Sequence, residues 1–254
     1  MEKITSRRNP VCIHIKKLGA NRAYREEQNE FLCDGIKLLE EAVKSGAAVT
    51  SVLTSSHLPF PLPVDTRVYF TDRSVIDSLS PLKNAQSTLF TVKMPPSGGF
   101  DCENGVSILL DGIQDPGNVG AIIRTANAFG IKSVILTGEC ADRYNPKTVR
   151  ASMGAIFRQN IIVMSIHELN ELRFSGVRFI GTTPGESKTV FSEINLKNAL
   201  IAIGSEGQGL SGEVMALCEQ RISIPISTAC ESLNAAVAAA IIMWEANGRS
   251  GVLA

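Results

Sequence analysis

The sequence predicts an α/β protein whose larger, second part is built around a mainly parallel sheet. In that part, short segments that are apolar throughout alternate with helical segments, a pattern typical of parallel sheets covered by helices on both faces. A Pro- and Gly-rich stretch at residues 93–105 separates it from a smaller α/β region. The predicted strands are residues 106–110, 133–136, 160–164, 177–181, 199–203 and 221–224, and the predicted helices are residues 118–129, 147–153, 167–173 and 233–247.

The region before the linker also alternates between helix and strand signals. Apolar residues at helical spacing follow Asp34-Gly35, and this predicted helix ends at Gly46. Short strands are predicted at residues 49–53, 67–70 and 88–92. We therefore divide the chain into a domain of residues 1–95, a linker of residues 96–105 and a domain of residues 106–254.

Composition excludes several classes of protein. Of the 254 residues, 44% are hydrophobic and 20% are charged, which is ordinary for a globular chain and unlike a disordered or collagen-like one. The longest apolar run, residues 233–244, is shorter than the roughly 20 residues that a membrane span needs. Residues 1–10 have no apolar segment and no small-residue cleavage site, so a secretory signal is not expected. We expect a cytoplasmic protein without a membrane partner.

Cysteine and histidine spacing gives no support for a metal site or a disulfide framework. No pair of the six cysteines has CxxC spacing, and the three histidines are far apart in the sequence. Disulfide frameworks belong mainly to small exported chains. We expect reduced, mostly buried thiols and no metal.

A basic segment lies at the start of a chain of zero net charge. Residues 1–25 hold seven basic residues against one acidic residue, a net charge of +6. A local positive field of this kind attracts phosphate groups even on a neutral protein, although a solvated helix face explains it equally well. The candidate phosphate contacts are Arg7, Arg8, Lys16, Lys17, Arg22 and Arg25.

The first segment that contains candidate functional residues follows the strand predicted at residues 106–110. Asp115-Pro116-Gly117 is a turn, and Asn118 suits the cap of the next helix. Arg124 falls outside the apolar stripe of that helix and has small neighbours, which leave room for its guanidinium to bind a phosphate. Capping alone would explain Asn118, and a solvated surface position would explain Arg124.

The second segment, residues 203–212, is rich in glycine and contains Glu206. Gly207, Gly209 and Gly212 fit the dinucleotide-binding spacing, but 42 residues after Gly212 are too few for the fold that this motif normally opens. A nucleotide-dependent oxidoreductase is therefore disfavoured. The glycines let backbone approach a ligand closely, with Glu206 as the charged group; a tight turn with an exposed glutamate is the alternative.

The third segment, residues 222–234, runs from a strand to a long helix. Ser232 suits the cap of that helix, with Asn234 at its start. The helix is apolar nearly all round, so we expect it to be buried in a core or an interface. The free N–H groups at such a helix start can be satisfied by a ligand or by ordinary capping.

Together the three segments resemble the motifs of the SpoU-type RNA 2′-O-ribose methyltransferases of the SPOUT superfamily. The first motif, Asn-x-Gly-x-x-x-Arg-Thr-Ala, is matched by Asn118, Gly120, Arg124, Thr125 and Ala126. The second, Gly-x-Glu-Gly-x-Gly-Leu, is matched by Gly204, Glu206, Gly207, Gly209 and Leu210. The third, Ile-Pro followed by Ser-Leu-Asn, is matched by Ile224, Pro225, Ser232, Leu233 and Asn234. Residues 226–230 depart from the Met and Gly that the family more often has after Ile-Pro.

The resemblance implies a fold, a cofactor and an assembly. It implies a C-terminal trefoil knot in the parallel-sheet domain, bound S-adenosylmethionine, and a homodimer formed through that domain. The first 95 residues more loosely resemble the substrate-binding domain often fused ahead of it, which implies a small L30e-like RNA-binding domain. The positions that the family implies for cofactor contact are Gly204, Ile224 and Leu233, to which we add Thr182, Ser232 and Asn234.

The implied reaction is methylation of a ribose 2′-hydroxyl, with ribosomal RNA favoured over transfer RNA. The hydroxyl is a very weak acid, so the enzyme has to position it and help remove its proton. We expect Arg124 to bind the phosphate of the target nucleotide, and the candidate orienting residues are Asn118, Glu206, Ser232 and Asn234. A catalytically inactive RNA-binding relative is the alternative class.

Overall fold

The computed structural model describes residues 2–96, 98–100, 105–183, 194, 196, 198–227 and 229–250, with side chains described to residue 247. The chain forms two compact units. The first consists of Met1–Pro96 together with Asp142–Arg158, and the second of Ser97–Ala141 together with Gln159–Ala254. Within the described residues, no helix is both long enough and apolar enough to cross a membrane.

The first unit contains a mixed sheet with strand order β1-β4-β3-β5-β2. β3 pairs parallel with β4 and antiparallel with β5. Its strands are β1 (Glu2–Ile4), β2 (Glu30–Asp34), β3 (Val49–Thr54), β4 (Arg67–Thr71) and β5 (Thr88–Lys93). Its helices from the first part of the chain are α1 (Pro10–Ala20), α2 (Arg22–Gln28), α3 (Ile36–Lys44) and α4 (Arg73–Leu79).

The helix α1 begins with a capping residue, Asn9, and a first-turn proline, Pro10. The side chain of Asn9 accepts a hydrogen bond from Val11 N, and Pro10 occupies the first helical turn, where a missing N–H costs nothing. Cys12, Ile15 and Leu18 share one face of α1 and are buried in a core with α4 and the sheet. The basic residues of α1 are therefore left on its exposed side.

The second unit is built on a wholly parallel sheet with strand order β11-β9-β10-β6-β7-β8. This confirms the predicted mainly parallel sheet. Its strands are β6 (Val106–Asp111), β7 (Ser133–Thr137), β8 (Asn160–Val163), β9 (Arg178–Thr182), β10 (Ala199–Gly204) and β11 (Gln220–Ile222). Its helices are α5 (Pro116–Ala128), α7 (Ile166–Phe174), α8 (Gly212–Leu217) and α9 (Ala235–Ser250).

Residues 142–158 lie between β7 and β8 in sequence but belong to the first unit. They form α6 (Pro146–Ala151) and a short 3-10 helix, Ala155–Phe157. The ring of Tyr144 stacks on that of Phe31, with centroids 4.6 Å apart. Arg25 Nη2 lies 2.5 Å from Asp142 Oδ2, and the side chain of Arg25 is only 4% exposed. This segment therefore completes the core of the first unit.

Two helices are capped by residues other than those predicted. Asp115 caps α5 by accepting a hydrogen bond from Asn118 N, with Pro116 in the first turn, so the prediction that Asn118 is the cap is wrong. Asn234 Oδ1 accepts hydrogen bonds from Ala236 N and Val237 N at the start of α9. Capping of that helix by Ser232 is therefore also wrong. In the first case, the side chain of Asn118 is left available for contacts outside its own helix.

Candidate functional site

The sheet order brings the first two motif segments to the same edge. β6 and β10 are neighbouring parallel strands, and Asp111 at the end of β6 is in register with Gly204 at the end of β10. The loops that leave the carboxyl ends of parallel strands meet at one edge of a sheet, which is where ligands bind in such folds. The sequence order of the motifs alone does not provide this proximity, because β7, β8 and β9 intervene.

A single carboxylate oxygen joins all three motif segments. Glu206 Oε1 accepts hydrogen bonds from Asn118 Nδ2 at 2.6 Å, from Asn234 Nδ2 at 2.9 Å and from Ala235 N at 3.1 Å. Asn234 Nδ2 also lies 3.1 Å from Asn118 Oδ1. The structure thus brings together three of the five residues predicted to take part in the reaction.

The position of Glu206 is electrostatically favourable. Its carboxylate accepts from the first backbone N–H of α9, where the helix dipole and the free N–H groups attract negative charge. Hydrogen bonds to an ionised acceptor are about twice as strong as neutral ones. Glu206 is therefore an anchor for the start of α9 as well as for the amide of Asn118.

Asp111 is a site residue that the sequence analysis missed. Its carboxylate is almost fully buried, and Oδ2 accepts a 2.6 Å hydrogen bond from Ser211 N, at the end of the glycine-rich loop. Ser205 and Gly209 exchange two backbone hydrogen bonds, of 3.1 and 2.9 Å, at the start of that loop. A carboxylate directly after a buried apolar strand was the available signal. Asp111 fixes the loop that carries Glu206.

A cavity of about 620 Å³ opens beside this junction. Five of the six predicted cofactor contacts line it, while Asn234 instead contacts Glu206. Much of the remaining wall is apolar, including Ile203, Leu210 and Ile242. The five predicted residues on the lining are Thr182, Gly204, Ile224, Ser232 and Leu233.

Gly204 is required by the packing of this cavity wall. A Cβ atom at this position would lie 2.0 Å from the backbone carbon of Gly209, a distance that no side chain tolerates. The two backbone segments therefore approach as closely as glycine allows. Gly207, in the same loop, has open space where its Cβ would be.

Arg124 is exposed on α5 and is not one of the residues hydrogen-bonded in the junction. Among the described residues, its guanidinium makes no hydrogen bond or ion pair, in contrast to Asn118 on the same helix. α5 packs on α9, and the rings of Phe129 and Trp244 have centroids 5.8 Å apart. As far as the described residues go, the guanidinium of Arg124 is exposed and without a partner.

Five of the six basic residues predicted to bind RNA are exposed in the first unit. Lys17 Nζ lies 5.2 Å above the ring of Tyr24, and Arg22 forms an exposed ion pair with Glu26. Arg25 is the exception, because its buried guanidinium binds Asp142 and donates to the carbonyl of Leu18. We therefore remove Arg25 from the candidate phosphate contacts. The exposed residues are Arg7, Arg8, Lys16, Lys17 and Arg22.

Two of the described cysteines, Cys140 and Cys218, are poor nucleophiles. Burial raises the pKa of Cys218 to about 11 and raises that of Cys140 above its ordinary value, so both stay protonated at neutral pH. In the part of the chain that the structure describes, no three His, Cys, Asp or Glu side chains gather as metal ligands would.

Comparison with known families matches both parts of the chain. The SpoU rRNA Methylase family matches residues 105–244, and the MRM3-like substrate binding domain matches residues 1–89. The first match covers more than half of the chain and includes Asn118, Glu206 and Asn234.

Individual relatives extend over nearly the whole chain. The 23S rRNA (guanosine(2553)-2′-O)-methyltransferase of Bacillus subtilis is 29% identical, over 98% of this chain and 100% of its own length. The 23S rRNA (uridine(2479)-2′-O)-methyltransferase of Streptomyces viridochromogenes is 30% identical, over 96% and 91% of the two chains. The solved SpoU methyltransferase AviRb from the same organism, in complex with AdoMet, superposes with a TM-score of 0.84 at 28% identity, covering 96% of this chain and 99% of its own.

Proposed function

The chain belongs to the SpoU rRNA Methylase family, and we propose that it transfers a methyl group from S-adenosylmethionine to a ribose 2′-hydroxyl of RNA, with ribosomal RNA as the substrate class. The observation that carries this proposal is the junction of Asn118, Glu206 and Asn234 at the rim of a cavity. The whole-chain relatives named above support ribosomal RNA, because both act on 23S rRNA. They act on different nucleosides, so they leave the target nucleotide open.

The cavity fits the proposed cofactor. Its volume of about 620 Å³ lies within the roughly 300–1,000 Å³ of small-molecule sites. Gly204 brings two backbone segments together in the cavity wall. The apolar walls suit a flat adenine, and Thr182 and Ser232 offer hydroxyls. When bound, S-adenosylmethionine supplies an activated methyl group on a sulfonium. We propose that the residues that hold it are Thr182, Gly204, Ile224, Ser232 and Leu233, oriented through Asn234.

The chain's own residues have to position the acceptor and accept its proton. We assign Arg124 to the phosphate of the target nucleotide, since its guanidinium is exposed and has no partner among the described residues. The proton of the 2′-hydroxyl then passes to that phosphate, either directly or through Arg124, whose guanidinium would give one proton to the phosphate as it takes up the proton of the hydroxyl. Asn118, fixed by Glu206, orients the sugar. Positioning of this kind accounts for much of the catalysis in a reaction whose donor is already activated.

An exposed apolar stripe on α9 supports the proposed homodimer. Val237, Ile241 and Trp244 are spaced by four and three residues on one face, and they are 49%, 38% and 63% exposed. A row of exposed apolar side chains on a helix is typical of a protein–protein interface. Ile241 also lines the cavity, so a second copy of the chain on this stripe would lie beside it. Because α5 packs on α9, we expect this dimer to bring Arg124 near the second copy.

Three finer features also belong to the proposal. The family resemblance and the parallel sheet order support a trefoil knot in the second unit. The mixed sheet with helices and the match to a substrate-binding domain support an L30e-like RNA-binding role for the first unit. The division into RNA-binding residues 1–95, linker residues 96–105 and methyltransferase residues 106–254 stays a prediction, as does the cytoplasmic location.

The test is methyl transfer to defined RNAs. The full chain is incubated with tritiated S-adenosylmethionine and with 23S rRNA, assembled large ribosomal subunits or transfer RNA, and methylated riboses are mapped by their resistance to alkaline cleavage. We expect label on 23S rRNA, lost by at least about a hundredfold in Arg124→Ala, the order of loss seen when one transition-state contact is removed. The matched control is Lys132→Ala, which removes an exposed cation elsewhere in the second unit.

Each other outcome contradicts a stated part of the proposal. Unchanged transfer by Arg124→Ala would remove Arg124 from the mechanism. Label on transfer RNA alone would show that the substrate class is transfer RNA and not ribosomal RNA. Cofactor binding without transfer to any RNA would identify the chain as an inactive RNA-binding relative.

A further inference from the structure

The first unit has a cavity of its own, of about 880 Å³, which the proposed reaction does not use. It lies where β3 and β4 begin, beside the first turns of α1. All residues that line it belong to the first unit. Its volume lies within the roughly 300–1,000 Å³ of small-molecule sites, so it has room for one nucleotide.

His14, Glu30 and Thr50 line the polar floor of this cavity and belong to a connected chain of polar side chains, which continues behind them to Tyr24 and Thr91. Glu30 is 7% exposed, and its Oε2 lies 2.9 Å from His14 Nε2. His14 Nδ1 in turn lies 2.9 Å from the hydroxyl of Tyr24. The hydroxyl of Thr50 donates to the other oxygen of Glu30 and lies 2.6 Å from that of Thr91. Neighbouring hydrogen bonds of this kind fix one another, so the floor presents donors and acceptors in set directions.

The walls of the same cavity are suited to a flat ring. Pro10 and Val11 of α1 and Val49 of β3 supply apolar surface, and the ring of Tyr69 on β4 supplies an aromatic face. Proteins that bind unpaired RNA bases use aromatic or apolar faces for stacking and polar groups for the base edge. Both kinds of surface are present here within one cavity.

The mouth of the cavity favours an anion. Arg67 and Lys93 are exposed on its lining, against the exposed carboxylate of Asp65. The other carboxylate on the lining, Glu30, is buried and accepts from Thr50, while Lys93 Nζ also donates to the carbonyl of Gln28. Arg67 makes no ion pair within the described part of the chain. The exposed Arg7 and Arg8 lie three and two residues before Pro10 and add to the positive field.

From these observations we infer that the first unit holds one unpaired RNA nucleotide in this cavity, with its base against Tyr69 and the polar floor and its phosphate at Arg67 and Lys93. The inference rests on the proposed function, since it takes RNA as the substrate. It adds that the first unit recognises a base outside a duplex, because bases inside an A-form helix are stacked and cannot enter a cavity. A paired RNA of the same length should therefore compete poorly.

The first test fills the cavity mouth. Ala48 is exposed on the lining, and Ala48→Trp places an indole where the base would lie. The control is Ser74→Trp, which adds the same group to the exposed side of α4. Binding of a single-stranded RNA of about ten nucleotides is measured with the full chain. We expect the affinity of Ala48→Trp to be at least about tenfold lower, which is the loss expected for one stacked base. The affinity of Ser74→Trp should be unchanged.

The second test needs no variant and so does not depend on the folding of Ala48→Trp. 23S rRNA transcribed with 4-thiouridine is crosslinked by ultraviolet light to the unmodified full chain, and the crosslinked peptides are identified by mass spectrometry. We expect crosslinks on the peptides that contain Val11 and His14 or Tyr69. Crosslinks confined to other peptides, equal binding by the two Trp variants, or preference for the duplex would each overturn the inference.

The outcomes separate this inference from the proposed function. If the unmodified chain transfers methyl groups and the two Trp variants bind RNA equally, the proposed nucleotide pocket is contradicted and the proposed enzymatic activity is not. Crosslinks at Tyr69 without methyl transfer to any RNA would support the pocket and remove the proposed activity.

Discussion

The side-chain amide of Asn118 donates a 2.6 Å hydrogen bond to Glu206 Oε1, although 88 residues separate the two in sequence. Asn118 belongs to the segment after β6, and Glu206 to the segment after β10. Because the same oxygen also accepts from Asn234 and from the start of α9, one carboxylate fixes three loops. Changes at Glu206 are therefore expected to affect all three.

Removing the charge of Glu206 should reduce the rate of methyl transfer. Glu206→Gln keeps an acceptor but loses the charge that strengthens its hydrogen bonds, so we expect about tenfold lower kcat; Glu206→Ala, which loses the acceptor, should lower it by about a hundredfold. The matched control is Glu213→Gln, at the exposed start of α8. Equal activity in all three variants would show that the junction does not position the reacting groups.

Gly204 and Gly207 provide a matched pair within one loop. In Gly204→Ala the new methyl would meet backbone of Gly209 at 2.0 Å, so the cavity wall has to move, whereas Gly207→Ala meets nothing within 4 Å. We expect Gly204→Ala to lower the free energy of unfolding by about 1–3 kcal/mol, and to weaken S-adenosylmethionine binding at least about tenfold. Calorimetric titration and chemical unfolding measure the two effects. Equal affinities in the two variants would contradict the assigned cofactor site.

The α9 stripe should control assembly. Trp244 is 63% exposed in the single chain. In Trp244→Glu, the new carboxylate would be buried without a partner in the dimer interface. We therefore expect this variant to be a monomer and the unmodified chain to be a dimer. Phe174→Glu is the control, because Phe174 is an equally apolar residue that is 88% exposed on α7. Light scattering after gel filtration measures the mass. A dimer that survives Trp244→Glu would place the interface elsewhere.

The capping box of α7 gives a prediction about pH. Hydrogen bonds from the hydroxyl and backbone N–H of Ser165 lower the pKa of Glu168 below its ordinary value of 4.5. Because the folded pKa is the lower one, the stabilisation is complete above pH 4.5 and is lost as the pH falls through the folded pKa. At pH 7, amide exchange in α7 should be faster in Glu168→Gln than in the unmodified chain, and the difference should shrink in acid.

Glu171→Gln serves as the control for this measurement, since Glu171 lies on the same helix but outside the capping box. Exchange is compared between variants at each pH, so that the intrinsic effect of pH on exchange cancels. A difference between Glu168→Gln and the unmodified chain that stays constant from pH 7 into acid would contradict the role of the carboxylate.

The residues of the junction could be found from the sequence, but their contacts could not. Asn118, Glu206 and Asn234 stand in recognisable local motifs, whereas their meeting depends on β6 and β10 being neighbours in the sheet. The start of α5 also differs from the prediction. Asp115-Pro116 is itself a cap followed by a first-turn proline, so α5 begins before Asn118.

Burial of a charged residue depends on partners that are distant in sequence. Arg25 has the same local pattern as the exposed Arg22, but its partner Asp142 is 117 residues away. Nothing in residues 1–25 distinguishes the two. The helix α1 and the strand β2 are not among the predicted elements. In α1, the buried Cys12, Ile15 and Leu18 stand at helical spacing among basic residues, and those basic residues alone are equally compatible with a solvated segment.

The membership of residues 142–158 in the first unit limits how this protein can be recombined. A fragment ending at residue 96 would lack the ring that stacks on Phe31 and would leave the guanidinium of Arg25 enclosed without its counter-ion. A chimera that exchanges the front of this chain for that of a relative must therefore carry the matching stretch between β7 and β8 as well. The first unit is thus encoded by two separate stretches of sequence, one of them inside the range that the SpoU rRNA Methylase family matches.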